Sequence, residues 1–207
     1  MTLEKNTSRL RSYSGFFIVL EGIDGAGKTS IAKKLVDFLN EKGYEAVYTY
    51  EPYDTKYVEA LKKHYSEYRD AFLDALTYAA DRIVHVKSFI IPHLQKGYIV
   101  VCDRYFYSSA AYQAAQGAPL EWVLEINKYV PKPDLAIYLD VDPEIGISRR
   151  MGKQTRFPEY EKLDFLIRVR ENYLLMVRKG LLKMIDANRG FEEVYLDVER
   201  LVLEHLP

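Results

Sequence analysis

Gly22-Ile23-Asp24-Gly25-Ala26-Gly27-Lys28-Thr29 satisfies the phosphate-binding pattern G-x-x-x-x-G-K-[ST] at every fixed position. Its flanks suit it. Phe16 to Leu20 is a short apolar run that reads as a buried strand. From Ser30 to Leu39 the spacing turns helical, with Ile31, Leu35, Phe38 and Leu39 on one face. Glycines let the backbone curl until several N–H groups aim at one anion, and the helix that follows adds its positive end. Lys28 reaches the β- and γ-phosphates of a nucleotide as a point charge, and the Thr29 hydroxyl is placed to ligate Mg²⁺. The stretch from Gly22 to Ser30 is therefore read as the phosphate site of a nucleotide donor.

Outward from the loop, apolar runs alternate with helix-like segments. Strands are expected at Glu45 to Tyr50, Tyr98 to Cys102, Leu135 to Leu139 and, weakly, Leu182 to Ile185. Helices are expected at Lys28 to Lys42, Tyr68 to Gln95 with a bend at Pro92, Ser108 to Gln116, Leu120 to Tyr129, Pro143 to Arg150, Glu161 to Lys179 and Phe191 to Leu206. Near-continuous apolar strands suit a parallel sheet covered on both faces, so the fold class is α/β, doubly wound. Ligands in such sheets sit beyond the carboxyl ends of the strands.

Composition narrows the function. The chain has 207 residues, 48% of them apolar, and a formal net charge of -1. That supports one domain with a full core and gives no electrostatic case for nucleic acid or a membrane as main partner. Residues 1–14 are polar and are read as a flexible extension, with the domain at 15–207. No apolar run approaches transmembrane length. The lone Cys102 lies in an apolar run, reads as a packing residue and fits a reducing compartment. Asp81 and His85 are four apart and are expected to pair on a surface or helix face.

Strand ends supply the chemistry. Asp103, after the third strand, offers a carboxylate to Mg²⁺. Arg104 beside it has the planar fork to clamp an acceptor phosphate. Asp142-Pro143 reads as a helix cap and first helical position, hence structure. Arg149, Arg150, Lys153 and Arg156 surround Gly152 in a basic loop suited to covering phosphates during transfer. Tyr78 and Arg82, four apart, can stack a planar base and bond its edge.

Together these residues resemble the thymidylate kinase (dTMP kinase) family of phosphate-loop nucleoside monophosphate kinases. Glu51-Pro52 resembles its Glu-Pro segment, and Thr77-Tyr78-Ala79-Ala80-Asp81-Arg82 its L-F-x-A-x-R helix motif. The stretch Asp103-Arg104-Tyr105-Phe106-Tyr107-Ser108-Ser109-Ala110-Ala111-Tyr112-Gln113 closely resembles D-R-[YH]-x-x-S-x-x-A-[YF]-Q. Lys132-Pro133-Asp134-Leu135 and Asp186-Ala187 match its K-P-D-L and I-D-A segments. Tyr78 replaces the usual phenylalanine, Thr77 the usual leucine, and Tyr50 precedes Glu51 where an arginine is general nearby.

The resemblance implies a three-layer phosphate-loop kinase fold: a five-stranded parallel sheet, helices on both faces and a small basic lid at about residues 150–160. It implies ATP as donor, dTMP as acceptor, dTDP and ADP as products, Mg²⁺ at Thr29 and Asp103, a cytoplasmic setting, a role in dTTP synthesis for DNA replication, and a homodimer packed through helices including the long one. By the same carry-over, Lys28, Asp103, Arg104 and one lid cation from Arg149, Arg150, Lys153 and Arg156, with Arg156 taken as the candidate, are catalytic. Arg149 and Arg150 join Gly22, Ile23, Asp24, Gly25, Ala26, Gly27, Lys28, Thr29 and Ser30 around ATP. Asp24 also faces the acceptor sugar, while Glu51, Pro52, Tyr78, Arg82, Arg104, Ser108, Ser109, Tyr112 and Gln113 line the acceptor site. The runner-up is another nucleoside monophosphate or deoxynucleoside kinase. A GTPase switch is disfavoured because Asn127-Lys128-Tyr129-Val130 ends in valine, which has no carboxylate to read guanine. Intact Lys28, Thr29 and Asp103 argue against a vestigial site.

Overall fold

The computed structural model describes residues 13–53, 55–150, 160 and 162–207. These form one five-stranded parallel sheet in the order β2-β3-β1-β4-β5. The strands are β1 (Phe16–Glu21), β2 (Ala46–Tyr50), β3 (Ile99–Asp103), β4 (Leu135–Asp140) and β5 (Lys183–Asp186). β3 and β4 are buried along their whole length, which is why they read as unbroken apolar runs. β5, an edge strand, buries only Ile185, and its sequence signal is correspondingly weak.

The register levels the carboxyl ends in two groups, β4 and β5 running two to three residues past β1, β2 and β3, since Leu20 pairs with Ile137 as well as with Asp103. Leu20 of β1 and Tyr50 of β2 both pair with Asp103 of β3, and Asp140 of β4 pairs with Asp186 of β5. The residues that follow the strands therefore open onto one rim of the sheet. Helix α1 (Lys28–Glu41) starts at that rim from Gly27, whose φ of 91° belongs to the left-handed region glycine tolerates. Its Ile31, Ala32, Leu35 and Leu39 are buried, and Phe38 packs against the core from a partly exposed position.

The long helical segment is not one helix. α2 (Lys56–His64), which buries only Val58 and Leu61, precedes it and had too short an apolar face to stand out in the sequence. α3 (Ala71–His85) begins where the Asp70 carboxylate accepts from the N–H groups of Phe72 and Leu73. Residues Val86–Ile90 then widen into a π-helical turn before the short α4 (Ile91–Gln95). Pro92 has no N–H to donate back into the preceding turn, and the π turn lies where that bond is lost.

The remaining helices are α5 (Phe106–Ala115), α6 (Leu120–Ile126), α7 (Pro143–Arg150), α8 (Leu163–Arg178) and α9 (Phe191–Leu203). Asp142 caps α7, accepting from the Glu144 N–H at 2.9 Å, as its sequence indicated. Cys102 is fully buried in the core.

Candidate active site

Two cavities open on the rim. The first, about 290 Å³, is lined by Gly25, Gly27, Lys28, Ser30 and Arg149 together with Asp24, Thr29 and Arg150. The second, about 390 Å³, is lined by residues from β2, α3, β3 and α5 and by Tyr160, and it shares Asp24, Thr29 and Arg150 with the first. Asp24, Thr29 and Arg150 are thus where the two cavities meet.

In the first cavity the loop is held tight against α7. Gly25 has φ 87°, and a Cβ on it would stand 2.1 Å from the Gly146 carbonyl oxygen; neither position has room for a side chain. Gly22, Ile23 and Ala26 do not face either cavity. They form the turn itself, with the Ala26 N–H donating to the Ile23 carbonyl at 3.3 Å. Lys28 is buried; its Nζ donates to the Ile23 carbonyl at 2.8 Å and lies 3.9 Å from Asp24. Burial, then the neighbouring Arg104 charge, push its pKa down to about 8 against the pull of Asp103, Asp24 and Glu21. Arg149 is drawn to the end of β5, donating to the carbonyls of Ala187 at 2.8 Å and Arg189 at 3.1 Å.

The metal expectation can be tested on Asp103. One carboxylate oxygen accepts from the Thr29 hydroxyl. The other, Oδ1, is buried and has no hydrogen-bond partner among the described residues. A buried carboxylate oxygen left without a donor is costly, and a cation satisfies it. Thr29 and Asp103 therefore fit Mg²⁺, which typically takes one or two protein oxygens and completes its shell with water and phosphate oxygens.

Arg104 has φ 71°, an uncommon conformation for a long side chain that costs on the order of 1 kcal/mol. Its backbone N–H is tied to the Leu20 carbonyl at 2.9 Å. This conformation aims the guanidinium across the rim. It donates to the Gly22 carbonyl and the Ser108 hydroxyl, both at 3.0 Å, and to Asp24 at 2.5 Å, and it lies over the Tyr112 ring. Arg150 also donates to Asp24 at 2.5 Å. Burial raises the Asp24 pKa, but Arg104, Lys28 and Arg150 outweigh it and hold the carboxyl well below its usual range. Two cations thus converge on one carboxylate at the junction, in position for anionic groups entering from either side.

The far end of the second cavity is set by a buried network. Glu51, after β2 and joined to Pro52 by a cis peptide, accepts from Arg82 Nε at 2.7 Å and lies 3.1 Å from His85 Nδ1. Arg82 also donates to Asn127 Oδ1 at 2.7 Å and to the Ser109 hydroxyl at 3.1 Å. Tyr78, Ser108, Ser109, Tyr112 and Gln113 line the cavity with it, so the acceptor residues inferred from sequence converge in space.

The expected Asp81–His85 pair is corrected. Both are buried, and they serve different partners. Asp81 accepts from the N–H groups of Tyr53 and Thr55, at 2.6 and 2.9 Å. His85 Nε2 lies 2.6 Å from the Thr49 hydroxyl, and its ring stacks on Tyr53 at 4.2 Å. The loop after β2 occupies the Asp81 carboxylate with backbone N–H groups, and Thr49 and Glu51 occupy the His85 ring, so neither is left for an i,i+4 bond. Lys153 and Arg156 lie outside the described residues.

Glu21 was missed. It ends β1, is fully buried, and accepts from the N–H groups of Tyr105 and Ser108 and from the hydroxyls of Ser108 and Tyr173. Burial lifts its pKa to about 6 despite these donors and Arg104. By holding Ser108 and the start of α5 it steadies Arg104. The signal was present: an acid at the end of an apolar strand, the same feature that singled out Asp103.

A glycine-loop anion cradle at the end of β1, joined through shared residues to a second cavity with its own guanidinium clamp, defines a phosphate-loop kinase of small phosphorylated acceptors. Comparison with known proteins narrows the class. The thymidylate kinase family pattern matches residues 20–198. The chain is 74% identical over 193 residues to a probable thymidylate kinase of Staphylothermus marinus, covering 93% of this chain and 97% of that one. It is 41% identical to the probable thymidylate kinases of Pyrococcus abyssi (93% and 98% covered) and Archaeoglobus fulgidus (89% and 93% covered). The chain belongs to the thymidylate kinase family.

Proposed function

We propose that the two cavities are the donor and acceptor halves of one phosphoryl-transfer site, meeting at Asp24, Thr29 and Arg150. The enzyme phosphorylates dTMP to dTDP with ATP as donor, a step toward dTTP. The observation that carries the division of roles is the sharing of those three residues by a glycine-loop cradle and an aromatic-lined pocket.

The acceptor oxygen is already anionic, so no general base is needed, and catalysis consists of positioning and charge stabilisation. Lys28 and the loop N–H groups of Gly25 to Ser30 hold the β- and γ-phosphates. Arg149, fixed beside Ala187, flanks the donor. Arg104 clamps the 5′-phosphate of dTMP. Arg150 spans both substrates, with Arg156 as a further lid cation, and neutralises charge on the transferring group. Tyr78 stacks on the base, Arg82 bonds its edge, and Asp24 turns to the sugar once phosphates engage the two arginines. Mg²⁺ held by Thr29 and Asp103 would neutralise donor phosphate charge.

The proposal extends to organisation: one domain over residues 15–207 with a basic lid at about 150–160, working in the cytoplasm as a homodimer. No described helix is long and apolar enough to cross a membrane. Phe72, Leu76, Ile83 and Val84 are exposed on α3, which favours pairing through that helix. Light scattering that gave a monomer mass would count against the dimer.

The direct test of the function is an acceptor panel of dTMP, dUMP, dCMP, dGMP and thymidine with ATP, run with and without Mg²⁺. Turnover is expected with dTMP and Mg²⁺. Phosphorylation of thymidine but not of dTMP would refute the assignment.

A further inference from the structure

Among the described residues, two buried side-chain oxygens have no hydrogen-bond partner: Asp103 Oδ1 and the Tyr105 hydroxyl. Both residues line the acceptor cavity. Folded proteins pair such atoms almost without exception, because a lone one is costly, so two at one cavity mark places where ligand atoms arrive. Asp103 Oδ1 is answered by the cation it fits. The Tyr105 hydroxyl has no such answer.

Tyr105 is 0% exposed, and its ring is locked. Its backbone N–H donates to Glu21 Oε1 at 2.8 Å. The ring stands edge-on to Phe17 (centroids 5.1 Å apart, planes at 84°) and packs on Phe106 at 5.1 Å. The Arg82 guanidinium lies over the same ring, 5.5 Å from its centre, which puts Tyr105 at the Glu51–Arg82 end of the cavity. Polar groups nearby are engaged elsewhere. Glu51 and the Ser109 hydroxyl accept from Arg82, and the Cys102 thiol donates to the Arg104 carbonyl at 3.0 Å. Burial, then the Glu51 carboxylate, push the phenol well above its ordinary pKa, so it keeps its proton.

We infer that the Tyr105 hydroxyl reads the base of the acceptor, donating to a carbonyl oxygen on the pyrimidine edge that Arg82 faces. The inference rests on the cavity being the dTMP pocket. Carbonyl oxygens accept and do not donate, so a phenol that keeps its proton is a matched partner. The phenol is held in place before the ligand arrives, so the bond costs little ordering. In the free protein the orphan hydroxyl is a standing cost, and the ligand relieves it. The contact is remote from the reacting phosphates and equal in the ground and transition states, so it lowers KM for the acceptor and leaves kcat alone.

The test uses the full chain with Tyr105→Phe, which removes only the hydroxyl and keeps the ring packing. Calorimetry gives the Kd of thymidine and of dTMP. Competition gives the inhibition constant of 2-deoxyribose 5-phosphate, which has no base, and thermal denaturation gives Tm. Tyr105→Phe is expected to weaken thymidine and dTMP alike by about fivefold, with kcat, the KM for ATP and the sugar-phosphate constant held within about twofold. Tm of the unliganded variant is expected to rise by roughly 2 °C, because the substitution removes an unpaired buried polar atom. Unchanged thymidine affinity overturns the inference. A lowered Tm overturns it as well, since the hydroxyl then bonds an ordered water that belongs to the fold. Equal weakening of 2-deoxyribose 5-phosphate also overturns it, as a distortion of the whole cavity. Each of these leaves the assigned reaction standing. Failure of the unmodified chain to bind thymidine and dTMP overturns both.

Discussion

The two cavities proposed as donor cradle and acceptor pocket share Asp24, Thr29 and Arg150, yet they are assembled in opposite ways. The cradle is nearly one stretch of chain. Its main binding groups are backbone N–H donors and one lysine, and its shape follows from glycine geometry and from the backbone of Gly25 resting on Gly146. The pocket is built from side chains on β2, α3, β3 and α5, with Tyr160 on a further side. It is held by buried pairs such as Glu51–Arg82 and Arg69–Asp74. A backbone cradle recognises what all nucleoside triphosphates share. A pocket of side chains can recognise one acceptor, and each added partner is another place where specificity is set.

Substitutions that strike one half and spare the other test this division. Lys28→Ala removes the cradle's only side-chain ammonium among the described residues. It is expected to lower kcat on the order of 10³-fold while leaving the calorimetric Kd of dTMP unchanged. If dTMP affinity collapsed with it, the two halves would not be separable. Arg104→Ala is the mirror experiment, with kcat/KM for dTMP expected to fall about 10²-fold, the KM for ATP steady and the fold intact by circular dichroism. Turnover like that of the unmodified chain would remove Arg104 from the acceptor clamp.

The smallest effect is a pH dependence confined to the donor half. The pKa of Lys28 is lowered from 10.5 to about 8, so the free protein sheds this proton before an unfolded chain does. Below pH 8 the buried ammonium costs stability, and that cost is relieved as pH rises from about 8 to 10.5. Bound polyphosphate favours the charged form, so ATP binding above pH 8 must take up a proton. The Kd for ATP is therefore expected to rise about tenfold between pH 7 and 9, by one-proton linkage, whereas thymidine binding stays flat. Titration calorimetry in buffers of different ionisation enthalpy reads that proton directly. A flat ATP profile would show that Lys28 keeps its ordinary pKa.

Legibility in the sequence followed the same division. The loop of Gly22 to Thr29 was legible as a glycine turn into a helix because its geometry depends on neighbouring residues. Asp103 and Arg104 were readable because an apolar run ending in a charged pair marks the rim of a parallel sheet. Glu21 carried the same mark but stood in the shadow of the loop it precedes. The i,i+4 spacing of Asp81 and His85 suggested a pair, and the loop after β2 and Thr49 claimed them instead. The break of the long helix was visible as Pro92, but its form, a π turn at Val86–Ile90, was not.

What the sequence determined alone was the class of fold, the glycine loop that opens α1 and the charged strand ends, because periodicity, glycine and strand termini act over a few residues. The tertiary structure decided that the two cavities meet at Asp24, Thr29 and Arg150, that Arg82 answers to Glu51, and that Tyr160 hangs from Asp74. Those contacts join residues 31 to 126 positions apart. They exist because the parallel strands all point their carboxyl ends at one rim, and no local pattern encodes which side chains that rim will bring together.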